Sequence, residues 1–198
     1  MIAEILSRRS IRRFTDEMPS REQLEAVLTA GALAPSGKNK QPWRFVVLGG
    51  AEKQRVLNAM EQGLAKEAAG EGVLPESAVW GIADAKNTLS IMRSAPITVL
   101  VLNPFGKTPF EPIPPEKRIT ELVDTQSVGA CIENMLLEAE HQGLGGLWVC
   151  NTFFAYRELC VCLNTEDTLL AAVVLGVAAE QPPARPRHAL EDIVEYRL

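Results

Sequence analysis

Apolar residues recur along this chain with two spacings, and the points where one gives way to the other mark out its elements. Residues 2–8 read as a short helix. Ser20 followed by Gln23 is a capping-box pattern, and it opens a helix that carries Leu24, Val27, Leu28 and Ala32 on one face. Pro35 ends that helix, because the residue before a proline avoids helical geometry. Arg44–Leu48 reads as a strand, and an alanine-rich helix follows from Ala51 to about Ala69. Gly70, Gly72 and Pro75 break it, and a further helix is expected over Val79–Met92. Pro96–Leu102 is a continuous apolar run of strand length, as is Leu169–Ala178.

Between 103 and 115 stand five prolines and two phenylalanines, so residues 103–118 are expected to form an irregular, lid-like excursion. From Arg118 to Gln142 the apolar positions cover nearly the whole circumference of a helix, which predicts a long central, buried one. Gly143 is placed to cap it. A strand at Gly146–Cys150, a short helix at Tyr156–Cys162 and a Pro-rich tail complete the chain. Helices and strands alternate without a clean βαβ repeat, so the fold class is α+β, with residues 1–198 forming a single domain.

Composition narrows the function classes. The chain has 198 residues, 46% hydrophobic and 23% charged, which is ordinary for a globular protein. Its net charge of −5 argues against a nucleic-acid binder. Against that acidic background, two local groups of arginines suit one specific anion such as a phosphate. The longest apolar run, Leu169–Ala179, is well short of the roughly 20 residues that span a bilayer. The N-terminus lacks the basic region and apolar core of a signal peptide, so a cytoplasmic location without membrane contact is expected.

Cys131, Cys150, Cys160 and Cys162 fit no paired framework, and buried, reduced thiols are expected for most of them. Cys160 and Cys162 have no second Cys/His pair, so no metal site is read there. The two histidines, His141 and His188, carry no nucleophile signature; His141 is most simply the histidine of a helix's last turn.

Four segments carry candidate chemistry. Arg8, Arg9, Ser10 and Arg12 form a basic cluster before Phe14. The loop Pro35-Ser36-Gly37-Lys38-Asn39-Lys40-Gln41-Pro42-Trp43 is rich in amides and hydroxyls and runs straight into a strand. Leu144, Gly145 and Gly146 make a Gly-x-Gly-Gly turn after the long helix, and Arg185 and Arg187 lie in the tail. Read singly, these are a basic helix end, a polar turn, a helix stop and a solvated tail.

In this order and at about these separations, the four segments resemble the FMN-binding framework of the nitroreductase family. The resemblance runs from about residue 5 to the C-terminus and is weakest between 50 and 118. It implies a nitroreductase-like α+β fold with a mixed or antiparallel sheet flanked by helices, and a homodimer. It places Arg8 and Ser10 at the phosphate and ribityl end of FMN, with Arg9 in the same cluster, and Arg12 at the pyrimidine edge of the ring. Arg185 and Arg187 would close on the phosphate. Pro35, Ser36, Gly37, Asn39 and Gln41 would reach the flavin from the partner subunit. Leu144, Gly145 and Gly146 would offer backbone N–H groups to the ring, where a side chain would obstruct approach.

The implied activity is ping-pong reduction of nitroaromatics, quinones or related small-molecule acceptors by NADH or NADPH, with no side chain assigned as catalytic acid or base. Dehalogenation, flavin breakdown and dehydrogenation stand as alternatives, as does a non-enzymatic FMN-binding or sensing role. The chain contains no Gly-x-Gly-x-x-Gly after a strand, so one pocket would serve both substrates.

Overall fold

β2 (Ile97–Asn103) and β4 (Thr168–Gly176) lie side by side at the centre of the sheet, and nearly every residue in them is buried. β1 (Arg44–Leu48) pairs with the outer edge of β2, and β3 (Gly145–Val149) with the outer edge of β4. The order is β1-β2-β4-β3 and every pairing is antiparallel. Antiparallel sheets usually leave one face to water and then alternate apolar with polar residues. Here both faces are covered by helices, which is why the β2 and β4 sequences read as unbroken apolar runs.

Among the described residues, seven helices complete the fold: α1 (Ala3–Ser7), α2 (Arg21–Ala32), α3 (Gly50–Ala68), α4 (Ile82–Ser94), α5 (Pro115–His141), α6 (Tyr156–Leu163) and α7 (Leu190–Ile193). Short 3-10 turns occupy Gly37–Asn39, Glu76–Gly81 and Asn151–Ala155. The computed structural model describes residues 1–198, the side chain of Glu76 excepted. Among the described residues, no helix is long and apolar enough to cross a membrane.

On one face of the sheet α3, α4 and α6 bury Leu57, Met60, Leu64, Leu89, Met92 and Leu159 against Leu100, Leu102, Val174 and Leu147. On the other, α2 and α5 bury Val27, Ile132 and Met135 against Val99, Val101, Val173 and Leu175. The alternation of β2 between the two clusters is the period-2 pattern of a strand. A bulge between Val101 and Leu102 shifts the register opposite β4, so Leu169 faces the first cluster and Ala171 the second. Gly31 lets α2 lie close on α5, since a Cβ there would stand 2.6 Å from Cγ of Met135.

The capping box on α2 forms as expected, with Ser20 Oγ accepting from Gln23 N and Gln23 Oε1 accepting from Ser20 N. The long helix departs from expectation at its start. It begins at Pro115, not near 118, because Pro114 holds an extended conformation and Pro115 supplies the fixed φ of a first helical position. The irregular segment is correspondingly shorter, residues 104–114.

The early turns of α5 are also less covered than expected. Ile119, Leu122 and Val123 are exposed, so the fully buried stretch begins only near Ser127 and Val128. The thiols differ from expectation too. Cys131 alone is fully buried, Cys160 and Cys162 are half-buried, and Cys150 is exposed at the end of β3.

Candidate functional site

The candidate residues are arranged around α5. After α1 the chain runs as an extended arm along the free edge of β3. Ser10 pairs in parallel with Gly146, and Ile11 N donates to Gly146 O over 3.0 Å. Farther on, Thr15 N donates to Val177 O and Ala179 N to Arg13 O, both over 2.9 Å. Glu180 secures the same junction, its Oε1 accepting from Arg12 N at 2.6 Å and Arg13 N at 3.2 Å. The arm therefore covers an edge that would otherwise present unpaired backbone groups.

The four arginines of the arm have different surroundings. Arg9 donates from Nη1 to the carbonyls of Leu6, Ser7 and Arg8 at 2.8, 3.0 and 2.7 Å, so it caps α1 and stands apart from the ligand-facing group expected of it. Arg8 lies against α5, its Nε 3.5 Å from Oε1 of Glu133. Contact through Nε leaves the end-on Nη1/Nη2 edge of that guanidinium for another anion. Arg12 is exposed and folds back on the carbonyl of Ser10 at 3.1 Å, and Arg13 points toward Glu180.

Leu144, Gly145 and Gly146 depart from the sequence reading. The positive-φ turn is made by Gly143, and Gly145 and Gly146 are strand residues buried within β3. The space beside them is taken by protein. A Cβ on Gly145 would meet Ile11 Cγ1 at 2.8 Å, and one on Gly146 would meet Leu136 Cδ2 at 2.7 Å. These glycines allow the arm and α5 to approach β3; they do not leave an open platform. Beyond them Trp148 turns its exposed indole over Gly129 of α5, where a Cβ would stand 3.6 Å from the ring.

The loop from Pro35 to Gln41 docks elsewhere on α5. Gly37 N donates to Ser127 Oγ over 3.3 Å, Ser127 Oγ donates to Val123 O at 2.7 Å, and a Cβ on Gly37 would strike Val123. Ser36 Oγ accepts from Gln41 N at 2.9 Å, closing the loop on itself. Lys38, Asn39 and Gln41 have φ of 53°, 55° and 52°, a left-handed conformation uncommon for residues other than glycine. Pro35, Asn39 and Gln41 are exposed, and Ser36 and Gly37 half-buried.

At about 100° per residue, Ser127 and Glu133 stand roughly 120° apart around α5, and about 9 Å apart along it. Within this chain the loop and the Arg8 arm therefore do not meet. Arg185 and Arg187 do not join them either: both are exposed, and Arg187 donates to the carbonyls of Arg185 and Pro186 in its own segment.

Three titrating groups nearby are shaped by their surroundings. His141 Nδ1, in the last turn of α5, is 2.8 Å from Oε1 of Glu4 on α1, and that hydrogen bond raises the imidazole and lowers the carboxyl. Burial pushes the Cys131 thiol up to about 12. Among the described residues, no cluster of His, Cys, Asp or Glu could hold a metal ion.

Glu133, Glu180, Asp124 and Trp148 were not read from the sequence as part of this region. Nothing in their local patterns marks them: Glu133 and Asp124, the latter paired with Lys40, look like solvated carboxylates on a helix, Glu180 like one in a loop, and Trp148 like any strand aromatic.

Comparison with known proteins agrees with the fold. YdjA of Escherichia coli (strain K12), which bears the name NAD(P)H nitroreductase, is 26% identical over 144 residues, covering 73% of this chain and 68% of its own length. The iodotyrosine deiodinase of Thermotoga neapolitana is 28% identical over 191 residues, covering 94% and 91%. A protein from Desulfovibrio desulfuricans, described as a nitroreductase and solved in complex with FMN, superposes with a TM-score of 0.72 at 26% identity, over 99% of this chain and 96% of its own. The model of the Nitroreductase family matches residues 5–177, which spans the arm, the loop, α5 and the whole sheet, and the chain belongs to that family.

Proposed function

We propose that this protein is an FMN-dependent oxidoreductase that takes reducing equivalents from NADH or NADPH and passes them to a small acceptor such as a nitroaromatic or a quinone. The observation that carries the reading is the arm pinned to Gly146, which holds Arg8 against Glu133 of α5 with its end-on edge unused. Arginine forks suit a phosphate because they give parallel, charge-assisted bonds.

The residues present fit FMN in kind. Arg8, Ser10 and Arg12 suit its phosphate, ribityl chain and pyrimidine edge, with Arg185 and Arg187 as candidates to close on the phosphate. Ser36, Asn39 and Gln41 offer hydroxyl and amide groups. Trp148 presents an exposed aromatic face beside α5 that suits a planar apolar ring. FMN, when bound, supplies the hydride and electron chemistry. The chain's own part is to hold the anion, orient the ring and shape a pocket that excludes water. Proton delivery is assigned to solvent.

The separation of the loop and the arm around α5 supports a homodimer in which the loop of one copy completes the site of the other. The exposed Ile119, Leu122 and Val123 beside the loop suit such an interface, which would be of the large apolar kind. Residues 104–114 are proposed to roof the pocket. One specific comparison favours a second reading, reductive dehalogenation, since the iodotyrosine deiodinase matches 94% of the chain.

The test is to titrate the purified chain with FMN and then follow flavin bleaching by NADH and NADPH in stopped flow. Steady-state turnover of a nitroaromatic, a quinone and a halotyrosine follows. Parallel double-reciprocal lines for the reductant at several acceptor concentrations are expected. FMN binding without reduction by either nucleotide would sink the NAD(P)H-dependent reading and favour the non-enzymatic role or a reaction whose own substrate reduces the flavin. Turnover of the halotyrosine alone would move the reading to dehalogenation.

A further inference from the structure

Lys40, at the end of the Ser36 loop, is held by two groups from separate parts of the chain, and a third residue supports one of them. Its Nζ is 2.5 Å from Oδ2 of Asp124 on α5 and 4.8 Å from the centre of the Phe105 ring in the 104–114 segment. Asn103, the last residue of β2, places Nδ2 3.4 Å from the same carboxylate oxygen. The Asp124 side chain is only 5% exposed, and it borders a cavity of about 300 Å³ lined also by Phe105, Ile113 and Thr120. A carboxylate so far from water is tolerated only with a close cation and hydrogen-bond donors, and removing the cation leaves it uncompensated.

The loop itself needs such a hold. Lys38, Asn39 and Gln41 all sit in the left-handed region, a conformation that persists only where surrounding contacts over-determine it. Gly37 N on Ser127 Oγ fixes one end, and Ser36 Oγ on Gln41 N closes the turn. Neither contact ties the Lys38–Lys40 stretch to the body of the protein. Lys40 on Asp124 does so.

We propose that Asp124 and Lys40 are a positioning pair: the carboxylate holds Lys40, so that the loop keeps the strained form that presents Ser36 and Asn39, and Phe105 on the same ammonium links the loop to the 104–114 segment. The consequence for flavin rests on the function proposed above; the positioning itself does not.

The test uses the full chain, first without flavin. Trypsin cleavage after the exposed Lys38 reports the order of the loop whether or not FMN binds. Asp124→Asn should speed cleavage at Lys38 about tenfold or more with cooperative thermal unfolding retained, and Phe105→Leu should speed it by a smaller factor. Should Asp124→Asn fail to fold, Lys40→Met reads the same contact, and Lys40→Arg should restore slow cleavage by restoring the cation. In a second arm, FMN titration of the same variants should show affinity falling in the order in which cleavage rises. Unchanged Lys38 cleavage in folded Asp124→Asn or Lys40→Met overturns the pair, and unchanged cleavage in Phe105→Leu removes the link to the 104–114 segment. Wild-type protein that binds no FMN would instead sink the flavin reading, while the cleavage result still decides the pair.

Discussion

The amide of Ile11 donates to the carbonyl of Gly146 across 3.0 Å, and the neighbouring Gly145 has room for no side chain because Ile11 fills that space. This contact fixes where the arm runs, and so how far Arg8, Ser10 and Arg12 can reach. A Cβ on Gly145 would lie 2.8 Å from Ile11 Cγ1 and 3.0 Å from its Cβ, too near the backbone for a rotamer change to relieve.

Gly145→Ala is therefore expected to push the arm off β3. Overpacking of this kind costs about 1–3 kcal/mol. FMN affinity should fall by more than the loss of stability explains, and Gly145→Ala combined with Ile11→Ala should recover part of it. Flavin titration alongside thermal melts separates the two effects. Unchanged affinity in the single variant would detach the arm from the cofactor.

The arginines should separate by role. Arg8→Ala and Arg187→Ala are expected to weaken FMN binding by about 1.5–3 kcal/mol each, the worth of a hydrogen bond to a charged group. Arg9→Ala, which uncaps α1, should leave affinity nearly unaltered and lower thermal stability slightly. Wild-type flavin content in purified Arg8→Ala and Arg187→Ala would count against both assignments.

The Glu4–His141 pair sets a pH window. His141 is raised above its ordinary 6.5 by its hydrogen bond to Glu4, so what it adds to stability is full below that value and is lost as pH rises through the raised one. Glu4 is lowered below its ordinary 4.5, chiefly by the same bond, so its share is full above that value and is lost as pH falls through the lowered one. The docking of α1 on α5 should thus be firmest between the two ordinary values. NMR titration of His141 should show its pKa falling toward 6.5 in Glu4→Gln, and no change would mean that the pair is not formed in solution.

Thiol reactivity should follow position. Burial holds the Cys131 thiol at about 12, between α5 and α2, so it should resist alkylation at pH 8 until the protein unfolds. Cys150, exposed at the end of β3, should be modified before Cys131: its surroundings raise its thiol too, but its surface is open to the reagent. Mass spectrometry of briefly alkylated native protein checks the order, and early labelling of Cys131 would mean that the α2–α5 contact opens readily.

Much of the architecture is legible in the sequence, because it rests on neighbours along the chain. Ser20 and Gln23 are three residues apart and cap each other whatever else the chain does. The runs at Ile97–Leu102 and Leu169–Leu175 have no polar face to turn to water, so they had to be interior strands. The Pro-rich stretch after Asn103 could carry no regular element, although Pro115 is taken up as the first residue of α5.

What the chain's local patterns determined, then, is the kind and order of its elements, and the chemical type of the groups near a candidate site. Tertiary structure decided how those groups are disposed. Arg8 and Arg9 are adjacent and alike in sequence, yet one meets Glu133, distant along the chain, and the other folds onto its own helix end. Gly145 and Gly146 read as an open turn, but they are strand because they pair with Gly176 and Leu175 of β4, and Ile11 of the arm fills the space beside Gly145. Lys40 looks like a solvated loop residue until α5 and the segment after β2 bring Asp124 and the Phe105 ring to it. The physical reason is common to all three. A side chain's charge partner and free volume come from segments far away in sequence, and only packing decides which segments arrive.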